Sequence, residues 1–497
     1  MPKTALAPLV SLALLLSPLA VRAANGHGGH GGGHADAAPA AQPAAPGAAD
    51  PSVKLLVSSE AGALVERPVA TAEPGRHDFE VMVGKRRQAL AGWGGAFNEK
   101  GWEALQALDA AARAEVLRKL FAPGEGLSLN FNRIPIGASD YATSRYSLAE
   151  TPGDLAMESF SIERDRKMLI PYIQAAQALR PDMRFWGSAW SPPPWMKDNG
   201  AFDSGKMKDD PKIYAAYALY LARFVEAYRA LKIPVEAVAV QNEPYILTAY
   251  PSCKWEPKQY RTFVRDHLGP TLAERKSGAT IVLGTFNQPD NEAHAKAVLG
   301  DEKARAYVGV LGLQWDGLPI IRAARKHVPA LPVWHTETDC GNHHWKPGFD
   351  PEKPQNDFAY AVYTWRHIRR YLDGGAELYS LWNIVLDETG KSIDAVRPWP
   401  QNSAVVVDRA AKKVTYTPMF LAFQHWSRFS VPGSVVLEPC GTDNALAVAR
   451  PDGSFAVQLM NPGTGEMKFR VQLGKKAWDA VLPPQSFGTL VIGGQAP

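Results

Sequence analysis

Val235-Glu236-Ala237-Val238-Ala239-Val240-Gln241-Asn242-Glu243-Pro244 and Val333-Trp334-His335-Thr336-Glu337 share one plan, a short apolar run that ends on a glutamate. The two carboxylates lie 94 positions apart. A (β/α)8 barrel of about 250 residues spends roughly 31 on each strand–helix unit, so three such units fill that gap. Both glutamates then stand at the same end of the barrel, after strands four and seven. Taken alone, Asn-Glu-Pro is equally a helix-opening turn and Glu337 a surface carboxylate. The rest of the chain decides between these readings.

Working outward, eight apolar, strand-like runs can be counted, at 89–93, 132–136, 183–189, 235–241, 280–285, 307–314, 331–336 and 377–382. The segments between them carry helical periodicity. Trp102, Leu105, Leu108, Leu117, Leu120 and Phe121 recur at three- and four-residue steps, and so do Tyr217, Leu221, Phe224 and Tyr228. Alternation of this kind predicts a parallel α/β barrel over 87–402. After 403 the period changes to two, at 445–449, 455–459 and 468–473, with Pro451-Asp452-Gly453 and Asn461-Pro462-Gly463 as turns. This predicts a small antiparallel β-sandwich over 403–497, completed by strands at 53–57 and 79–83 within the segment 52–86.

The N-terminal residues read as an export signal over 1–23: Lys3, an apolar stretch from Leu9 to Leu19, and Val21-Arg22-Ala23 as cleavage site. A Gly/His-rich, then Ala/Pro-rich tether follows over 24–51, with too little to bury to repay its ordering entropy. His27, His30 and His34 lie in it, and a linker is the simpler reading than a metal site. The mature protein is therefore expected to be periplasmic or secreted. A net charge of +4 on 497 residues, with no basic block, argues against nucleic acid. No later stretch has the length of a membrane span. Cys253, Cys340 and Cys440 have no metal-ligand spacing, and His335, His343 and His344 have no carboxylate or thiol ligands at a recognisable metal-binding spacing, so neither metal nor cofactor is expected.

Trp93, Trp190, Trp195, Trp315, Trp334, Trp345 and Trp382 all fall at or just after predicted strand ends. Core packing explains any one of them, but a tryptophan-lined pit suits the apolar C–H face of a sugar ring. Asn242 beside Glu243 suits a sugar hydroxyl or a local turn. Arg133 suits a carboxylate partner or an ordinary salt bridge, and Asp140 a sugar hydroxyl or solvent. Two carboxyl groups about 5–5.5 Å apart on such a face give a retaining glycosidase, and about 6.5–9.5 Å an inverting one. Lys197 to Asp210 and Gly341 to Pro354 are the expected rim loops.

Six motifs occur in a telling order: Gly92-Trp93-Gly94-Gly95-Ala96-Phe97, Arg133-Ile134-Pro135-Ile136-Gly137, Trp190-Ser191-Pro192-Pro193-Pro194-Trp195-Met196-Lys197, Gln241-Asn242-Glu243-Pro244, Thr336-Glu337-Thr338 and Leu381-Trp382-Asn383. Together they resemble glycoside hydrolase family 30, the group containing glucosylceramidase, from about residue 89 to the C-terminus. The resemblance implies a barrel fused to a β-sandwich built from both chain ends. It implies that Glu243 is the acid/base and Glu337 the nucleophile, and that Arg133, Asp140, Trp190, Asn242 and Trp382 line the sugar subsite, with Trp315 beside them. One position departs. Glucosylceramidases carry His-Trp-Tyr where this chain has Gln314-Trp315-Asp316, which turns the expectation away from a lipid-linked glucoside. A β-glucoside or β-glucan, such as a glucosylceramide-like or β-1,6-linked substrate, is expected. A β-xylosidase or β-fucosidase of the same family, and a non-catalytic exported glycan-binding protein, stay open at this point.

Overall fold

A computed structural model describes residues 50–339, 341–343, 349–350 and 352–493. The export signal, the tether up to residue 49 with its three histidines, and Cys340, His344 and Trp345 lie outside the described residues. Cys253 and Cys440 are both free.

Eight parallel strands close into a barrel. They are β1 (Gly92–Ala96), β2 (Phe131–Pro135), β3 (Arg184–Ser188), β4 (Val235–Ala239), β5 (Thr280–Phe286), β6 (Val308–Gln314), β7 (Val333–Glu337) and β8 (Ala376–Asn383). Every predicted run contributes a strand. The first one divides, however: Arg86–Ala89 joins the sandwich, and the barrel strand begins only at Gly92. Glycine is needed at that start, since a Cβ on Gly94 would fall 1.8 Å from the carbonyl oxygen of Phe131 on β2.

The barrel is filled, not hollow. Phe131, Trp186, Val282, Val310, Trp334 and Leu378 form its inner cluster, and Phe131 meets Trp334 edge-on with ring centroids 4.8 Å apart. Each such side chain contributes roughly 2–3 kcal/mol by leaving water. Around the strands pack amphipathic helices. In α1 (Pro211–Ala230), Tyr217, Leu221, Phe224 and Tyr228 face the core as their spacing requires, and Asp210 caps the first turn by accepting from the Lys212 amide.

The second body has a seven-stranded and a four-stranded sheet. Val53–Ser59 runs antiparallel to Ser486–Ile492, and Phe79–Glu80 pairs with Met467–Leu473, so both chain ends build it. Along Ala445–Ala449, alternate residues face opposite ways. Ala445, Ala447 and Ala449 enter the sandwich core, while Leu446 and Val448 join the cluster that packs around the barrel. The predicted boundary at 403 cuts through one barrel-side element and falls ahead of another. A three-stranded sheet (Val385–Asp387, Val405–Asp408, Lys413–Tyr416) spans that point. Beyond it, α3 (Pro418–Phe429) packs beside α2 (Phe358–Asp373), with Trp365 and Trp426 at 5.1 Å. The strands of the seven-stranded sheet resume only at Val435. His425 of α3 joins the bodies, its two ring nitrogens 2.7 Å from Thr489 Oγ1 and 2.9 Å from Ser58 Oγ.

Candidate active site

Glu337 is the last residue of β7, and its position depends on an irregularity in strand pairing. Leu313 of β6 lies opposite His335, but Gln314 lies opposite Glu337, so one residue of β7 is skipped. Arg133, from β2, places Nη1 2.6 Å from Glu337 Oε2. Its other nitrogen, Nη2, donates to Asn242 Oδ1 at 2.7 Å and to Ser188 Oγ at 3.1 Å. The guanidinium is wholly buried and lies 4.3 Å from the Trp190 ring centroid. A second donor, Trp315 Nε1, reaches Glu337 Oε1 at 3.1 Å.

Glu243 follows β4 with a φ of +46°, and Trp315 follows β6 with a φ of +49°. Bulky residues avoid this left-handed region at a cost of about 1–3 kcal/mol each, and both instances stand at one site. The Glu243 carboxyl meets amides: Asn287 Nδ2 donates to its Oε1 at 2.6 Å and Gln314 Nε2 at 3.1 Å. No ion pair involves Glu243 among the described residues. Gln314 and Trp315, adjacent in sequence, thus hold one glutamate each.

The environments separate the two carboxyls. Burial, then the charge of Glu337, then that of Asp140 push Glu243 up to about 8. Burial raises Glu337 too, but the charge and hydrogen bond of Arg133 and the Trp315 N–H pull it back toward the ionised form. The proton of the pair therefore rests on Glu243 and the charge on Glu337. Asp140, with its side chain in the same pit, is pushed up to about 8, first by burial and then by Glu337.

A cavity of about 340 Å³ opens over the pair, lined by Asp140, Trp190, Asn242, Trp315, Trp382, Asp394, Trp399 and Gln401 among others. Every predicted site residue except Arg133 lines it, and Arg133 lies beneath, bonded to Glu337. Trp190 and Trp382 stack at 5.2 Å, and Trp382 Nε1 donates to Gln401 Oε1 at 3.1 Å. Three of the other expected rim tryptophans are elsewhere. Trp93 points outward into α3, donating to the Ser430 carbonyl at 2.6 Å. Trp334 is inside the barrel, and Trp195 is bound to the Ala149 carbonyl at 3.0 Å. The 197–210 segment lines no part of the cavity, and Lys197 is buried against the carbonyls of Phe202 and Ser252. Among the described residues, segments 245–250 and 392–401 form the rim; residues 344–348 and 351 of the other expected rim loop lie outside the described residues.

Asn287, Trp399 and Gln401 carry no assignment in the sequence reading, and Gln314 appears there only as a departure from the family pattern. For Asn287 and Gln314 a signal existed, since each is a polar residue at the end of an apolar strand. Trp399 and Gln401 lie in a loop with no period. Among the described residues, no group of three or more His, Cys, Asp or Glu side chains is placed to hold a metal. His335 is stacked on Tyr379 at 3.8 Å behind the site. His343 contacts Asp339.

The chain is similar to known proteins in sequence and in fold. The model for the glycosyl hydrolase family 30 TIM-barrel domain matches residues 90–430. The chain is 26% identical over 411 residues to the lysosomal acid glucosylceramidase of Mus musculus, covering 78% of each chain. It is 23% identical over 441 residues to the endo-1,6-beta-D-glucanase neg1 of Aspergillus fumigatus, covering 82% of this chain and 85% of that one. In fold it is similar to SrfJ from Salmonella typhimurium, with a TM-score of 0.80 and 23% identity over 89% of this chain and 100% of that one.

Proposed function

This chain belongs to glycosyl hydrolase family 30 and is a glycoside hydrolase, and from that premise we propose that it cleaves β-glycosidic bonds with retention of configuration. Glu337 attacks the anomeric carbon, while Glu243 protonates the departing oxygen. In the glycosyl–enzyme Glu337 carries no charge, which removes the second-ranked influence raising Glu243. Glu243 then gives up its proton more readily and activates water. The observation that carries this reading is the split between two equally buried carboxyls, one held by Arg133 and the other by two amides. A protein that only bound glycan would have no use for that split.

We favour β-glucosides or β-glucans, including β-1,6-linked ones, as substrates. Asp316, where glucosylceramidases carry tyrosine, turns to Arg370 at 3.6 Å and supplies no ring to the site. This supports a glycan over a lipid-linked glucoside. The stacked pair Trp190 and Trp382 with Asp140 and Asn242 would hold the sugar. The sequence at 1–23 supports export, which sequencing the N-terminus of the mature protein would check.

Hydrolysis of aryl β-glucosides and β-1,6-glucan, followed by proton NMR of the first product, tests the mechanism. The β-anomer should form first, and Glu337→Gln should lower turnover by about 10³-fold or more. First formation of the α-anomer, or a Glu337→Gln variant of near-normal rate, would sink this reading.

A further inference from the structure

The carbonyl oxygen of Trp315 is gripped from outside the barrel. His367 Nε2 lies 2.9 Å from it and Tyr371 Oη 3.0 Å, both on α2, with Arg370 Nη2 at 3.5 Å. On the other side of the same residue, the indole Nε1 donates to Glu337. Trp315 is therefore a lever. Its backbone is in a left-handed conformation that tryptophan does not favour, and the donors of α2 keep it there.

The tautomer of His367 follows from its partners. A carbonyl only accepts, so Nε2 carries the proton. Nδ1, 2.7 Å from Tyr379 Oη, accepts from that hydroxyl. Thr338, next to Glu337 in sequence, lies 3.3 Å from the same hydroxyl. The chain of contacts thus begins beside the nucleophile and returns to it.

We propose that His367 is a positioning residue for Glu337, acting through the Trp315 carbonyl to aim the indole N–H at the carboxylate. The inference rests on Glu337 being the nucleophile. Any buried carbonyl needs a donor; what points to positioning is that this carbonyl belongs to the residue whose indole N–H meets Glu337. Burial holds His367 down to about 4, so the ring stays neutral while the enzyme works and its role is as a fixed donor. The ionisable groups around it are His335, Tyr363, Tyr371, Tyr379 and Arg370, with Asp316 and Asp339 beyond. Glu337 itself faces Arg133, Glu243, Asp140 and Asp339.

Two amides separate positioning from packing. In His367→Gln the side-chain NH2 reaches the place of Nε2. In His367→Asn it reaches only that of Nδ1 and abandons the Trp315 carbonyl. His367→Asn should lower kcat about tenfold with KM within about twofold. Its acidic limb of kcat/KM should rise by about half a pH unit, because a carboxylate that loses a donor is harder to ionise. His367→Gln should recover most of both. Tyr371→Phe, which removes the other donor from the same carbonyl, should move the limb in the same direction by less. Identical kinetics for the Asn and Gln variants, or an acidic limb unmoved in Asn and Phe variants alike, would overturn the proposal. Glu337→Gln run beside them keeps the two failures apart. If it retains activity, the nucleophile assignment fails. If it is inactive while His367→Asn matches the wild type, only the positioning role fails.

Discussion

The ends of β4 and β7 offer a comparison within one molecule. Glu243 and Glu337 are each 4% exposed, yet one is surrounded by amides and the other touches a guanidinium. Equal burial with unequal partners gives unequal chemistry. Desolvation raises both groups, and only a cation in contact restores the charge of one. The barrel supplies that cation from β2, a strand distant from both glutamates in sequence. The difference in proton affinity between the two carboxyls is thus set by which strand each one faces.

Breaking the ion pair should have the largest effect. Arg133→Met makes the surroundings of Glu337 resemble those of Glu243. We expect kcat/KM to fall about 10²–10³-fold and the fold to lose about 3 kcal/mol, since a buried partner is left alone. Steady-state kinetics and urea unfolding measure the two. Arg133→Lys should recover little, because a point charge cannot serve Glu337, Asn242 and Ser188 together.

The second expectation concerns stability against pH. Glu243 is held up at about 8 against an ordinary 4.5, so between these values the folded protein keeps a proton that the unfolded chain has lost. Its contribution is fully present below about 4.5 and drains away as pH rises through 8. Glu243→Gln has no such proton to lose. Its melting temperature should fall less between pH 5 and 9 than that of the wild type, by about 2–4 °C. Parallel melting curves across that range would contradict the assignment of the proton to Glu243.

The smallest effect sharpens the comparison. Gln314 donates to Glu243, and a donor favours the ionised form. Gln314→Met should therefore raise the basic limb of kcat/KM by about half a unit and leave the acidic limb, which belongs to Glu337, in place. Movement of both limbs would show that the two environments are not separable.

Much of this was legible in the sequence. The eight apolar runs and the two glutamates that end them identify the barrel, and the motifs place Arg133, Asp140, Trp190, Asn242, Trp315 and Trp382 around the site. What escaped was facing. A barrel strand is buried on both sides, so its residue types do not say which way each one points. Trp93 and Trp334 looked like rim aromatics for that reason, and they point outward and inward respectively. Simple alternation would put Glu337 on the outward face with His335. The skipped residue between β6 and β7 re-aims it, and such irregularities leave no mark in composition. The 403 boundary missed because the three-stranded sheet has short strands of the same period as the sandwich, while α3 belongs with the barrel helices.

One feature of the sandwich bears on how the chain is made. Val53 pairs with Ile492, 439 positions later; one edge of this strand pairs at once with Gly62–Arg67, but the other finds its partner only at 487–492. A ribosome releases these halves far apart in time. The whole barrel can emerge while the Val53–Ser59 strand still presents one unpaired edge, open to any passing strand. Closure of the sandwich therefore waits for 487–492, and a chain cut short before that strand keeps an open edge.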